Sequence, residues 1–193
     1  MAEQQAFGAA LGAPGLSASS GIVAYRIGVA GGRQLAWLDR SGKSAGSLGA
    51  SDNAGLANVE LSPDGKRVAV QRAVNGSPDV WLIDTGRGIP TRFTFGLSQR
   101  PLWSPDGRRI AFDSIRKGVI NLYWKLSSGA GSDELLLESD QNKITSDWSS
   151  DGRFLMFRVN APQTGYDLWI LPVSGDKKPF PFVPIPPTIR PPP

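Results

Sequence analysis

Three aspartates recur along this chain inside nearly identical words: Asp64 in SPDGKRVAV, Asp106 in SPDGRRIAF and Asp151 in SSDGRFLMF. A repeated carboxylate could hold calcium, which takes oxygen ligands. Each Asp also sits just before a glycine in a turn sequence, where its side chain bonds the backbone N–H groups that follow, and that reading is preferred. A second acidic group, Asp133, Glu134, Glu138 and Asp140, could likewise surround a hard cation. With no converging carbonyls it reads instead as a solvated outer edge that discourages strand pairing. Ser41-Gly42-Lys43-Ser44 contains the end of a phosphate-binding loop, but the glycine required five positions before Gly42 is Trp37. It is read as a turn between strands.

Composition then removes whole classes of chemistry. There is no histidine and no cysteine, so the commonest general base and thiolate catalysis are excluded, with every Ser/His/Asp or Cys/His arrangement. No GxSxG stands in the sequence either. No catalytic, cofactor-binding or metal-ligating residue is therefore assigned, no cofactor is expected, and the chain is read as not an enzyme. The net charge is +4, but Lys66, Arg67, Arg108, Arg109, Arg116 and Lys117 are scattered through turns. A specific nucleic-acid footprint needs clustering.

The elements that position these residues follow from the repeat. The SPDG-type motifs begin at Ser62, Ser104 and Ser149, spaced by 42 and 45 residues, and a decayed copy, SASSGIVAY, begins at Ser17. Each is followed by an alternating run: QLAWLD, DVWLID, NLYWKL or YDLWIL. A period in the low forties with four short strand signals predicts β-propeller blades. Inner strands are expected at Asn58–Leu61, Arg100–Trp103 and Thr145–Trp148, and second strands at Arg67–Arg72, Arg109–Ser114 and Phe154–Val159. The third strands should carry Trp81, Trp124 or Trp169 as one recurrent aromatic. Outer strands are expected at Thr91–Phe95, Glu134–Leu137 and Phe180–Val183. The turn glycines Gly65, Gly107 and Gly152 should have positive φ. Asn75-Gly76 is a hairpin turn before it is a glycosylation acceptor. The six tryptophans, which could stack on sugars, are read as packing between blades because they recur at fixed places in the unit.

The fold class expected is thus all-β: a partial β-propeller of about three and a half four-stranded antiparallel blades. Residues 1–16 are read as a poorly ordered N-terminal segment. Blades follow at roughly 17–55, 56–97, 98–140 and 141–183, and 184–193 form a proline-rich extended tail. An open array would leave apolar ends, with Trp37 and Leu38 at one and Phe157 and Trp169 at the other. The N-terminus lacks the basic start of a secretory signal, and no stretch approaches the roughly eighteen apolar residues of a membrane span.

The SPDG turn followed by an apolar strand and an aromatic third strand resembles the TolB-like repeat, a relative of WD-type blades. RQLAWLDRSGK, LSPDGKRVAV, DVWLID, RFTF, WSPDGRRIAF, NLYWK, SSGAG and DQNKITSDWSSDGRFLMF are similar to the propeller region of large bacterial proteins. Those proteins join an N-terminal serine/threonine kinase or winged-helix regulator to a C-terminal propeller. The resemblance implies a non-catalytic scaffold or sensor that binds a protein or ligand, as a fragment of a larger signalling protein. Its partners would be a protein or peptide, the missing blades, or the fused kinase or winged-helix domain. Alternatives are a TolB-type periplasmic envelope scaffold and the regulatory propeller of a serine peptidase. The compartment would be periplasmic for a membrane-anchored kinase or TolB-type parent, and otherwise cytoplasmic.

Overall fold

The computed structural model describes residues 16–19, 22–29, 32–161 and 165–182, with side chains from Gly32 onward. Residues 1–15 and the proline-rich tail lie outside the described residues. The described residues form sixteen strands and no helix, and so no helix long and apolar enough to cross a membrane.

Four antiparallel sheets follow one another along the chain, each a four-stranded meander. Blade 1 comprises β1 (Leu16–Ser19), β2 (Ile22–Val29), β3 (Gly32–Leu38) and β4 (Ser44–Asp52). Blade 2 comprises β5 (Gly55–Leu61), β6 (Arg67–Val74), β7 (Ser77–Asp84) and β8 (Pro90–Arg92). Blade 3 comprises β9 (Ser98–Trp103), β10 (Arg109–Arg116), β11 (Val119–Leu126) and β12 (Glu134–Leu137). Blade 4 comprises β13 (Lys143–Trp148), β14 (Phe154–Ala161), β15 (Gly165–Pro172) and β16 (Phe180–Pro181). The decayed SASSGIVAY copy still completes a four-stranded sheet. The array is a partial propeller.

The SPDG turn is closed by its own atoms. Ser104 Oγ donates to Asp106 Oδ1 at 2.6 Å and accepts from Arg109 N at 2.9 Å, while Asp106 Oδ1 also accepts from Arg108 N. Gly107 N donates to Ser104 O, and Ser104 N to Arg109 O. Ser62 with Asp64, and Ser149 with Asp151, repeat the pattern. Gly65, Gly107 and Gly152 have φ of 70°, 69° and 74°, a region that a β-branched residue resists. Gly107→Val is therefore expected to destabilise the fold by more than ~1 kcal/mol. An unchanged urea midpoint in that variant would contradict the blade assignment.

The inner strands begin earlier than expected because each contains a β-bulge. Register shifts fall between Ala57 and Glu60, opposite Ala111–Asp113, and between Thr145 and Asp147. Asn58 and Arg100, the matching bulge residues of blades 2 and 3, have φ near 48°. The bulge turns their side chains onto the second strand: Asn58 donates to Gln71 and Arg100 pairs with Asp113. The outer strand expected at Thr91–Phe95 ends instead at Arg92. Beyond it Phe93 N and Thr94 N both donate to Val80 O, and Thr94 Oγ1 accepts from Val80 N, so the chain folds back onto β7.

The third-strand aromatic is not one position but two. Trp81 pairs with Val70 and Trp169 with Phe157, whereas the residue opposite Phe112 is Tyr123. Trp124 lies one residue later, opposite Ala111, as Trp37 lies opposite Ala24. One residue along a strand reverses the face. Trp37 and Trp81 accordingly pack on the core between blades 1 and 2, with Leu35, Val68 and Val70. Trp124, Trp148 and Trp169 pack between blades 3 and 4, where Trp124 and Trp148 stack at 6.4 Å. The wedge between blades 2 and 3 is filled by Trp103, Phe112 and Tyr123. All six tryptophans thus pack between blades.

The end residues need correction. Phe157 is only 2% exposed, and Trp169 packs on the same core against blade 3. Trp37 and Leu38 are half-buried. The face of blade 4 turned away from blade 3 exposes the alternate residues, among them Tyr166, Leu168 and Phe180. Phe157 shares a face with Leu155 and Val159, so the period of two fixes which set is covered.

Candidate binding face

Each of blades 2, 3 and 4 ends, on one side of the array, in its SPDG-type turn and in the turn joining its third and fourth strands. These turns interlock. Thr85 Oγ1 donates to Gly65 O and Ser127 Oγ to Gly107 O at 2.7 Å. Neighbouring SPDG turns also lie close, since a Cβ added at Gly107 or Gly152 would be 3.8 or 4.0 Å from the ring of Pro63 or Pro105. Arg67 crosses between blades, donating to Ser127 O at 2.5 Å while its guanidinium lies 4.8 Å from the centre of the Trp103 ring. The result is a braced row of turns.

Two clefts open on this side. One, of about 410 Å3, lies between the SPDG turns of blades 3 and 4, with Asp106, Arg109, Trp148 and Asp151 among its walls. Arg109 lies 4.2 Å from the ring centre of Trp124, which stacks on Trp148. The Trp148 indole N–H is buried with no acceptor among the described residues, whereas Trp103, at the same place in blade 3, donates to Glu60 O. The other cleft, about 300 Å3, lies between β8 and β11 with Arg67, Arg92 and Lys125 in its walls.

The aspartates of the repeat are committed to their turns. Hydrogen bonds from Ser62 and Ser104, then from the following backbone N–H groups, hold the Asp64 and Asp106 carboxyls below the usual range. Asp151 is held at about 2 by Ser149, then by the N–H and guanidinium of Arg153. The acidic group at 133–140 is not gathered into one site, and part of it is not solvated either. Asp133 accepts from Arg116 at 2.5 Å, with Lys125 at 3.7 Å, and its side chain is 16% exposed. Glu134 accepts the Trp124 indole N–H. Ser41 N and Lys43 N both donate to Asp39 Oδ1, so the GKS turn presents a carboxylate where a phosphate would need free N–H groups. Asn75-Gly76 is the β6–β7 turn, with φ of 50° and 79°.

On the opposite side lies a buried polar layer that motif reading missed. Asp79 accepts from Arg92, Thr94 Oγ1 and Gly96 N. Asn121 holds the matching position in blade 3 and accepts from Lys143 Nζ, which also reaches Ser139 O and Gln141 O. Burial lowers the Lys143 ammonium to about 8, although the Asp140 and Glu138 charges oppose this. Asp113 accepts from Arg100, Thr145 N and Thr145 Oγ1, tying blade 3 to blade 4. The signal was present: a polar residue opens each third-strand run, at Asp79, Asn121 and Asp167. In blades 2 and 3 it ties down the connector to the next blade, through Gly96 N on Asp79 and Ser139 N on Asn121.

The profile of PD40, the TolB beta propeller domain, matches residues 14–172. The chain is 32% identical over 113 residues to an uncharacterized peptidase, YuxL, of Bacillus subtilis, covering 54% of this chain and 17% of that protein. It is 31% identical over 114 residues to the Tol-Pal system protein TolB of Helicobacter pylori, covering 58% of this chain and 27% of that one. The crystal structure of TolB from Acinetobacter baumannii superposes with a TM-score of 0.75 at 21% identity, over 88% of this chain and 43% of that one. The chain thus spans less than half the length of each of these relatives.

Proposed function

This chain belongs to the TolB β-propeller family, and from that premise we propose that it is a non-catalytic interaction module. It binds a protein or peptide partner through the face formed by its SPDG turns. The observation carrying this reading is the row of braced turns: a rigid surface, with clefts between blades, loses little conformational freedom when a partner docks. The lack of His and Cys supports the non-catalytic part. Asp113, whose carboxyl is raised to about 6, would suit a general base by that measure, but it is 1% exposed and fully engaged by Arg100 and Thr145. We further infer that the module is a segment of a larger bacterial signalling protein. The exposed apolar face of blade 4 would then be covered by further blades of that protein.

Two other roles draw on the relatives. Similarity to a Tol-Pal system protein favours an envelope scaffold. Similarity to an uncharacterized peptidase favours a propeller that controls access to a neighbouring catalytic domain. A photo-crosslinking residue placed at Ser150, on the SPDG side, or at Lys117, on the opposite side, tests the proposal in the source cell. An adduct with a separate protein from Ser150, and none from Lys117, is expected. An adduct with a hydrolase domain would favour the peptidase role. Crosslinks from Lys117 alone would overturn the assignment of the face.

A further inference from the structure

We propose that the cleft between β8 and β11 is a binding site for a carboxylate carried on an apolar group. Three cations line it, Arg67, Arg92 and Lys125, against one carboxylate, Asp84. Asp84 is turned to its own loop, where Oδ1 accepts from Gly86 N and Arg87 N. Among the described residues it makes no bond to these cations, and the carboxylates that pair with Arg92 and Lys125, Asp79 and Asp133, stand outside the lining.

The cations retain donors. Arg92 gives Nε to Thr94 O and one Nη2 hydrogen to Asp79, which leaves its Nη1 without an acceptor among the described residues. Among the described residues Lys125 Nζ has only long contacts, 3.4 Å to Phe93 O, 3.7 Å to Asp133 and 5.3 Å to the centre of the Phe93 ring, and Asp133 is already paired at 2.5 Å with Arg116. The Lys125 side chain is 11% exposed. An anion meeting it there interacts at a lower effective dielectric than at an open surface, and charge-assisted hydrogen bonds to a carboxylate are the strong kind.

The remaining walls select what carries the charge. Leu82 and Phe93 form apolar parts of the lining, while Ile89 and Phe95 stand exposed in it, Phe95 beneath the Arg92 guanidinium at 4.9 Å. A free inorganic anion would leave this apolar surface wet, whereas an apolar carboxylate covers it. A peptide C-terminus with a large last side chain and a free hydrophobic acid share this chemistry.

The site deepens the proposed function, resting on it only for the face a partner approaches. Titrating the purified chain needs no cellular partner, so failure here is distinct from failure of the crosslinking test. The probes are acetyl-Leu-Phe with a free carboxylate, its C-terminal amide, 4-phenylbutyrate and acetate, followed through the backbone amide resonances of Thr91, Ser128 and Gly129. Saturable shifts are expected with the dipeptide acid or with phenylbutyrate, the tighter of the two naming the source as peptide terminus or free acid. The amide and acetate should bind at least about tenfold more weakly. Lys125→Met should weaken binding about tenfold and Phe95→Ser several-fold, and Lys117→Met should leave it unchanged. Phe95 is exposed, so its variant tests the site without disturbing the core. No shift with any probe, equal binding of acid and amide, acetate matching the dipeptide, or an unaffected Lys125→Met would each overturn the proposal.

Discussion

Replacing Arg100 with methionine is expected to destabilise the fold at every pH, and by up to about 1.4 kcal/mol more at pH 7 than at about pH 4.5. Asp113 is buried beside it, 2.8 Å from Arg100 Nη1, and Thr145 supplies the other two donors. Burial raises the Asp113 carboxyl from 3.8 to about 6, with the Arg100 charge the largest force in opposition. A raised folded-state value means that the folded chain holds this proton more tightly than the unfolded one. The contribution of Asp113 to stability is therefore fully present below about pH 4, declines as the pH rises through about 6, and is flat above. Removing Arg100 drives the carboxyl higher still. Near neutrality the variant must either bury an unpaired charge or take up a proton. In acid the carboxyl is neutral in both proteins, and only packing and a hydrogen bond are lost. Methionine keeps much of the side-chain length and the same reluctance to adopt φ of 47°, so backbone strain is unchanged. Urea unfolding at the two pH values reads the difference. An equal loss at both would show that charge pairing is not what the bulge at Arg100 secures.

Gly88→Ala is expected to cost about 3 kcal/mol, against about 1 for Gly129→Ala. Both glycines lie in turns between third and fourth strands, with φ of 68° and 83°. They differ in what surrounds them. A Cβ at Gly129 meets nothing within 4 Å, whereas one at Gly88 would lie 2.9 Å from both the N and Cα of Gly49. Gly49 belongs to β4, so here the outer strand of blade 1 touches the turn of blade 2 backbone to backbone. Neither side has a flexible end that could give way. The alanine must therefore separate the two blades or distort a turn whose Gly88 N–H is bonded to Asp84 O. Equal losses for the two variants in urea unfolding would mean that the blades are not in contact there.

What the sequence determined by itself is local. Ser, Asp and Gly within six residues close the turn with their own hydrogen bonds, so the positive φ at Gly65, Gly107 and Gly152 and the commitment of the aspartates could be read directly. The same is true of Asn75-Gly76 and of the GKS turn, where Asp39 is two residues from Ser41. Alternating apolar runs at a blade-length period likewise fixed four strands per unit and their antiparallel order, because each pairs with its sequence neighbour.

Tertiary structure alone decided whatever depends on register or on the next blade. Trp81 and Trp124 occupy similar words, DVWLID and NLYWKL, yet Trp81 lies opposite Val70 and Trp124 opposite Ala111. A one-residue difference in position along the hairpin sends the two rings into different wedges, and no local sequence preference records it. Arg100 and Asp113 are thirteen residues apart, and they meet because a bulge turns Arg100 onto β10. Thr145 joins them from a different blade. The cationic cleft has the same origin. Arg67, Arg92 and Lys125 come from three separate strands of two blades, and their charges converge only when the sheets pack. A turn is specified by a few adjacent residues, whereas a cleft between blades is specified by the angle and register at which two sheets close on their shared core.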